Sequence, residues 1–171
     1  MKKLIITGPE SSGKTTLFNQ LTSFYNITGV NEYAREYIAN LKRDYNYQDI
    51  LEIAKVQFTN EIKIYNSNQN FLISDTDLLT LEIWCEIKYK KCHSFISDNL
   101  RKHLPNIYLL CSSDIPWKFD SQRENPNNRL ELFKIYENKI KSLGVDYHII
   151  KGDKAVRLNS VKTIINDIVN Q

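Results

Sequence analysis

Four residues near the start of the chain have the types and the spacing that hold the phosphates of a nucleotide. Gly8, Gly13, Lys14 and Thr15 occupy the fixed positions of the pattern G-x-x-x-x-G-K-[ST], directly after the apolar run LIIT. Such glycines let main-chain N–H groups turn toward a phosphate, and the helix that follows adds the positive end of its dipole. The lysine reaches the β- and γ-phosphates, and the threonine hydroxyl ligates Mg²⁺. The predicted nucleotide-binding residues of this loop are Gly8, Pro9, Glu10, Ser11, Ser12, Gly13, Lys14, Thr15 and Thr16.

A pair of aspartates follows the apolar run FLIS. Asp75 ends that run, and Asp77 stands two residues further on. An aspartate at the end of a strand beside such a loop holds Mg²⁺ directly or through its water, so Asp75 is predicted to be a catalytic metal ligand together with Thr15. Aspartate is also a good first residue for a helix, and a helix is predicted over Leu78–Tyr89. For Asp77, helix capping and substrate contact are therefore both retained.

The polar segment DIPWKFDSQRENPNNR, which spans residues 114–129, carries two arginines. Arg123 and Arg129 are typical of a lid that closes over the phosphates and excludes water in a kinase. Their guanidinium groups would meet the charge that develops during phosphoryl transfer, an effect of roughly a thousandfold or more in rate. Arg123 is predicted to be catalytic, and both arginines to bind the nucleotide. The alternative for both is a solvated loop that leads into a helix.

The acceptor of the phosphoryl group is expected near the sequence NEYAREY. Glu32 could take the proton of an attacking hydroxyl or bind sugar hydroxyls, with Tyr33 and Arg35 beside it. The alternative is a surface helix whose glutamates suit the helix dipole. Trp117, within the polar segment, either faces the substrate or anchors the loop to the core. Trp84 is predicted to pack in the core as part of a helix face.

The elements that position these residues alternate between short β-rich runs and longer helical runs. Uninterrupted apolar strands are typical of a parallel sheet that helices cover on both faces, with ligands at the carboxyl ends of the strands. The predicted architecture is a three-layer α/β P-loop NTPase with a five-stranded, mainly parallel sheet and an Arg-bearing lid. The predicted strands are Lys3–Thr7, a weak one near Thr28–Asn31, Phe71–Ser74, Ile107–Cys111 and Tyr147–Ile150. The further predicted helices are Gln48–Asn66, Leu130–Leu143 and Asn159–Val169.

Composition narrows the class of protein. A chain of 171 residues with 42% hydrophobic residues is predicted to form one domain, residues 1–171. The net charge of +3 is too small a surplus to indicate nucleic-acid binding. The cysteines Cys85, Cys92 and Cys111 lack metal-ligand spacing and are read as reduced thiols. The sequence has no apolar run long enough for a membrane span, so a cytoplasmic location is expected.

Among nucleotide-binding classes, a small-molecule kinase fits best. A GTP switch needs the guanine-binding pattern N-K-x-D, whereas Asn138 and Lys139 are followed by Ile140 and Lys141. A motor or assembly ATPase usually needs more chain for its force-transmitting or oligomerising parts. A lid that excludes water prevents ATP from being wasted on hydrolysis, which is a requirement for a kinase.

Four segments together resemble a known family. In their order along the chain, GPESSGKTTL, EYAREYI, ISDTDLLTLEIW and DIPWKFDSQR resemble the ribosylnicotinamide kinase domain of bacterial bifunctional NAD-salvage proteins. The resemblance runs from about Lys3 to the last predicted helix. It implies phosphorylation of the 5′-hydroxyl of nicotinamide riboside to nicotinamide mononucleotide, with ATP and Mg²⁺ as cofactors.

The resemblance has further implications for partners and for the adenine site. The adenylyltransferase half of those proteins is absent from this sequence, so the chain is not expected to complete NAD itself. In related kinases the turn after the fifth strand lies against the adenine, so Arg157 in KGDKAVR is a predicted base-stacking residue. The expected partner is a small molecule, not nucleic acid or membrane, and a homo-oligomer stays open. A kinase for another nucleoside or nucleotide, and a regulatory ATP-binding module, are the alternatives.

Overall fold

The computed structural model describes residues 1–67, 70–120, 122 and 127–169. Within these ranges four strands form one sheet in which every neighbouring pair is parallel; the first strand along the chain lies between the second and the third, and the fourth lies beside the third. Leu4 of the central strand pairs with Ile73 on one side and with Ile107 on the other. The strands are β1 (Lys2–Thr7), β2 (Phe71–Asp75), β3 (Ile107–Cys111) and β4 (Tyr147–Ile150).

The predicted five-stranded sheet is wrong by one strand. Near Thr28–Asn31, only Val30 pairs with the sheet: its N–H donates to Ile73 O at 3.0 Å, and its carbonyl accepts from Asp75 N at 2.8 Å. A helix begins at Tyr33, so the chain leaves the sheet edge before a strand can extend. Tyr33 therefore starts its helix directly beside the end of β2.

Helices surround this sheet and begin close to their predicted positions. The helix predicted over Leu78–Tyr89 has those bounds, whereas the last helix begins at Lys154 and not at Asn159. Asp153 explains the earlier start, because its carboxylate accepts from the N–H groups of Ala155 and Val156 at 2.9 Å each, as a helix cap does. The helices are α1 (Lys14–Tyr25), α2 (Tyr33–Asn40), α3 (Tyr47–Tyr65), α4 (Leu78–Tyr89), α5 (Ser94–Lys102), α6 (Arg129–Leu143) and α7 (Lys154–Val169).

The sheet separates two hydrophobic cores, which confirms the three-layer α/β prediction. Ile5 of β1 faces a core shared with helices α2 to α6, whereas Leu4 and Ile6 face a core shared with α1 and α7. Strands β2 and β3 are buried along their whole length, as parallel strands covered on both faces are. Among the described helices, none is both long enough and apolar enough to span a membrane.

Candidate active site

The phosphate-binding loop lies between β1 and α1, at the carboxyl end of the central strand. Gly8 has φ 130°, and a Cβ atom there would lie 2.6 Å from the carbonyl oxygen of Cys111, so a side chain cannot fit. Gly13 caps α1 in the left-handed conformation, with φ 81°. The ammonium of Lys14 donates to Gly8 O at 3.0 Å and to Pro9 O at 2.8 Å. This lysine therefore lies across the loop, at the amino-terminal end of α1 where anions bind.

Asp75 lies at the end of β2 beside the loop, as predicted. Its side chain is buried near the hydroxyl of Thr15, and its Oδ1 has no hydrogen-bond partner in the described part of the chain. Burial, followed by the nearby Glu32 carboxylate, raises the pKa of Asp75 to about 6, and Lys14 opposes that shift. A buried oxygen without a donor, next to a threonine hydroxyl, fits a divalent cation with oxygen ligands.

Asp77 has a different role, although it lies only two residues away. One carboxylate oxygen accepts from Leu79 N at 3.1 Å and caps α4, and the other accepts from the hydroxyl of Tyr108 at 2.8 Å. The residue is 1% exposed and does not line the cavity beside the loop. Of the two roles retained from the sequence, helix capping is the one observed, and the structure gives no support to a substrate contact of Asp77.

A cavity of about 330 Å³ extends from the phosphate-binding loop to helices α2, α4 and α6. Glu32 lies on its wall and accepts from the guanidinium of Arg35 at 3.2 Å. Arg35 also lines the cavity, and it donates to Asp120 at 3.0 Å. The structure therefore brings the predicted acceptor residues Glu32 and Arg35 into one space with Lys14 and Thr15.

Aromatic residues that the sequence interpretation did not assign to the site form part of the cavity wall. Tyr45, Trp84 and Tyr136 line it. The indole N–H of Trp84 donates to the hydroxyl of Tyr45 at 2.9 Å, and the two rings meet edge to face with centroids 4.8 Å apart. Trp84 packs against the core, as predicted, but it is only half-buried, and the prediction missed its place on the cavity wall. Polar Thr80 and Lys88, four residues before and after Trp84 on the same helix face, were the signal that could have identified this wall.

The aromatic residues that were predicted for the substrate lie elsewhere. The ring of Tyr33 packs against the core beside Tyr37, and its main-chain N–H donates to Gln57 at 2.9 Å. Trp117 is half-buried, with the guanidinium of Arg129 over its ring at 5.7 Å. Neither Tyr33 nor Trp117 lines the cavity, so the geometry does not bring them to the acceptor.

The described part of the predicted lid connects the phosphate-binding loop to α2. On the loop side, Lys118 N donates to the hydroxyl of Ser11 at 2.9 Å, and Arg129 donates to Ser11 O at 3.3 Å. On the α2 side, Gln122 donates to Arg35 O at 3.3 Å. Arg123 lies outside the described residues.

Arg157 supports the loop from behind. Its guanidinium donates to Ser12 O at 2.6 Å and to Ser112 O at 3.1 Å, its Nε donates to Gly152 O at 2.7 Å, and it pairs with Asp114. Arg157 is only 3% exposed, although it also lines a small cavity of about 60 Å³ together with Gly13 and Gly152. The observed role of Arg157 is structural, since it joins the loop to the ends of β3 and β4, and base stacking stays a prediction.

The structure combines a parallel sheet between helices, this phosphate-binding loop, an aspartate at the end of the neighbouring strand and a cavity beside the loop. These features together define a P-loop nucleotide-binding protein. More narrowly, a family model described as an AAA domain matches residues 3–157, and the chain belongs to that family.

Comparisons with individual proteins give a consistent picture. The chain is 26% identical over 129 residues to the trifunctional NAD biosynthesis/regulator protein NadR of Salmonella typhimurium, an alignment that covers 72% of this chain and 31% of that protein. The structure of a NadR protein in complex with NR superposes with a TM-score of 0.79 at 19% identity, covering 99% of this chain and 52% of that one.

A third similar protein is a deoxyadenosine kinase from M. mycoides, with a TM-score of 0.67 at 13% identity over 96% of this chain and 99% of that one. These structural likenesses establish the kinase-like P-loop fold. The chain spans only 31% of the curated NadR protein's length, so it corresponds to one part of that protein. The resemblance to bacterial NAD-salvage proteins that the sequence motifs carry is confirmed.

Proposed function

We propose that this chain is an ATP-dependent kinase that phosphorylates the 5′-hydroxyl of nicotinamide riboside and forms nicotinamide mononucleotide, with residues 1–171 as one kinase domain. The proposal rests on the observation that Lys14, Glu32 and Trp84 line the same cavity, which has a volume of about 330 Å³. A phosphate-binding lysine, a carboxylate and an aromatic wall in one space are what transfer from ATP to a nucleoside requires. The similarity to NadR proteins supports the choice of acceptor.

In the proposed reaction, the loop holds the phosphates of ATP through its main-chain N–H groups, and Lys14 contacts the β- and γ-phosphates. Thr15 and Asp75 are the residues that would hold Mg²⁺, since they supply a hydroxyl and a buried carboxylate oxygen without a partner. The ion, when bound, neutralises charge on the phosphates. The ammonium of Lys14 donates to Gly8 O and Pro9 O, which places it at the loop that is proposed to bind the phosphates.

On the acceptor side, Glu32 takes the proton of the 5′-hydroxyl or binds the ribose hydroxyls. Its carboxylate stays in place through the bond to Arg35, which Asp120 holds from the lid side. The nicotinamide ring is proposed to lie against Trp84 and Tyr45, whose mutual hydrogen bond fixes the plane of each ring. A permanent positive charge on the pyridinium suits an aromatic face.

The lid excludes water when both substrates are bound. Arg129 connects Ser11 of the loop to Ile115 of the lid through bonds of 3.3 and 2.9 Å to their carbonyl oxygens, so closure and phosphate binding are mechanically linked. Arg123 is proposed to meet the charge on the transferring phosphoryl group, on sequence grounds alone.

One observation favours a second candidate, a kinase for a nucleoside with a neutral base. Lys88 lines the cavity, and its ammonium lies 3.8 Å from the centroid of the Tyr45 ring, where a cationic acceptor ring would be repelled. Lys88 is exposed, however, so water and salt weaken that repulsion to well below the gain from aromatic contact. Nicotinamide riboside therefore remains the preferred acceptor.

A panel of acceptors tests the proposal. ADP release with ATP and Mg²⁺ is measured for nicotinamide riboside, adenosine, uridine, thymidine and their 5′-monophosphates. Nicotinamide riboside is expected to give the highest kcat/KM, and the monophosphates no release, because their 5′-oxygen is already phosphorylated. A higher rate with a neutral nucleoside would replace the named acceptor, and release without any acceptor would overturn the kinase assignment.

A further inference from the structure

A second cavity of about 210 Å³ lies at the amino end of the sheet, away from the phosphate-binding loop. It opens between α3, the end of α5 and the first residues of β1. Apolar and polar residues contribute about equally to its wall, and two of its side chains, Tyr65 and Leu104, are exposed by 42% and 38%. Lys3 lines this cavity, whereas the loop follows Thr7 at the other end of the same strand. At about 3.3 Å per residue the two ends are roughly 13 Å apart, so one small ligand cannot occupy both cavities.

The polar part of this cavity is a buried ion pair with one unused acceptor. Lys3 Nζ lies 2.6 Å from Glu61 Oε2 and also donates to His103 O at 3.1 Å. Glu61 is only 2% exposed, and its Oε1 has no hydrogen-bond partner among the residues that the structure describes. A buried carboxylate oxygen without a donor is costly, and a donor supplied from the cavity would relieve that cost.

We propose that this cavity is a second binding site, for a small, neutral, planar aromatic molecule whose N–H group donates to Glu61 Oε1. The charge of the site selects for neutrality. The ammonium of Lys3 and the carboxylate of Glu61 cancel each other, so neither a cation nor an anion gains a net attraction there that would offset its desolvation. Lys102 also lines the cavity, but it is exposed, so water and salt screen its charge. A neutral N–H donor completes the hydrogen bonding without burying net charge.

The remaining wall defines the rest of the ligand. The ring of Phe58 meets the ring of His103 edge to face, with centroids 5.0 Å apart, and both residues line the cavity. Asn106 accepts from Lys3 N through Oδ1 at 2.7 Å, and that bond does not use its amide hydrogens. This arrangement suits a ligand that carries a hydrogen-bond acceptor for Asn106 beside its N–H donor for Glu61. An aromatic carboxamide and an amino-substituted nucleobase both have such a pair of groups. The volume suits one ring or a fused pair, below the range of drug-sized ligands.

The site is independent of the proposed kinase chemistry. None of the residues that line the amino-end cavity lines the cavity beside the phosphate-binding loop. The two cavities share no space, but the same structural elements reach both. Strand β1 runs from Lys3 to the phosphate-binding loop, and α3 carries both Glu61 and Gln57. Gln57 accepts from Tyr33 N at the start of α2. Binding at the amino end is nevertheless tested by binding alone, with no requirement for activity.

The experiment uses four probes of similar size with the full chain: benzamide, adenine, benzamidine and benzoate. Each is titrated at up to millimolar concentration while ¹H–¹⁵N NMR spectra are recorded. Benzamide, adenine or both are expected to shift the amide resonances of Glu61 and His103, and which of the two binds more tightly distinguishes the carboxamide from the nucleobase. Benzamidine and benzoate, which carry charge, are expected to bind at least about tenfold more weakly, since the neutral pair gives neither of them a net attraction to offset its desolvation. If neither neutral probe shifts these resonances, or if a charged probe binds as tightly, the proposal is overturned.

Two variants sharpen the test. Lys3→Met/Glu61→Met replaces the ion pair by apolar side chains of similar length, a change that proteins often tolerate. It is expected to weaken binding of the neutral probes by about tenfold to a hundredfold, the usual loss for a hydrogen bond to a charged group. If this double variant does not fold, Leu104→Trp narrows the opening from an exposed position and is expected to abolish binding. Unchanged affinity in the folded variant overturns the site.

Discussion

The two halves of the main cavity are built in different ways. The half that is proposed to hold phosphate is one continuous segment, Gly8–Thr16, which would bind largely through main-chain N–H groups. The acceptor half gathers Glu32, Tyr45, Trp84 and Tyr136 from separate parts of the chain, and its binding groups are side chains. Chemistry in the first half is therefore fixed by local conformation, whereas selectivity in the second depends on how α2, α4 and α6 pack.

The two halves of the main cavity also differ in how strongly their conformation is constrained. The loop is constrained by the close contact of Gly8 with Cys111 and by the buried guanidinium of Arg157. The acceptor half relies on Arg35, whose side chain is 43% exposed, for its ion pairs to Glu32 and Asp120. Exposed ion pairs contribute little to stability. Substitutions in the loop half should therefore abolish turnover, and substitutions in the acceptor half should change its rate and selectivity by degrees.

The largest effect is expected for Lys14→Ala and for Asp75→Asn. Each removes charge stabilisation at the phosphates or the metal, so kcat should fall by about a thousandfold. Steady-state kinetics with nicotinamide riboside and ATP measures this, and circular dichroism should report an unchanged fold, because neither side chain belongs to the hydrophobic cores. Near-normal turnover in either variant would contradict the assignment of Lys14 and Asp75 to phosphate and metal binding.

Glu32→Gln should have the next largest effect. The amide keeps the shape of the side chain but cannot take a proton, so kcat should fall by about a hundredfold. Affinity for ATP, measured by calorimetry, should hardly change because Glu32 lies on the acceptor wall. A loss of ATP affinity equal to the loss of rate would mean that the two halves of the cavity do not act separately.

Trp84→Leu should have a smaller and more selective effect. Loss of ring stacking, together with the hydrogen bond to Tyr45, should raise KM for the riboside about tenfold and leave kcat within about twofold of the wild type. Trp117→Leu is the matched control, because Trp117 lies outside the cavity. If Trp117→Leu raised KM as much as Trp84→Leu, the aromatic wall would be wrongly located.

Asp77→Ala should have the smallest effect on turnover and a clear effect on stability. It removes the cap of α4 and leaves the hydroxyl of the buried Tyr108 without its acceptor. The free energy of unfolding, measured by urea denaturation, should fall by about 2–3 kcal/mol. The activity of the folded fraction should stay near that of the wild type. A selective loss of activity without destabilisation would return Asp77 to the substrate site.

The different construction of the two halves explains what the sequence could predict. The loop and the strand end at Asp75 were predictable because contiguous residue types determine their geometry. The roles of Trp84 and Arg157 were not, because each depends on a partner distant in sequence. Arg157, for example, binds Ser12 from 145 positions away. For Asp77, the local capping of α4 was among the predicted roles, whereas its bond with Tyr108 was not predictable. The pairing of Val30 alone, in place of a fifth strand, likewise depends on where α2 begins, because α2 takes the chain away from the sheet edge.

The central claim, transfer of a phosphoryl group from ATP to the 5′-hydroxyl of nicotinamide riboside, is tested most directly by identifying the product. Purified chain is incubated with ATP, Mg²⁺ and nicotinamide riboside, and the mixture is analysed by mass spectrometry and ³¹P NMR. We predict equimolar nicotinamide mononucleotide and ADP from the wild type and neither from Lys14→Ala. ATP consumption that yields inorganic phosphate and leaves the riboside unchanged would contradict the account.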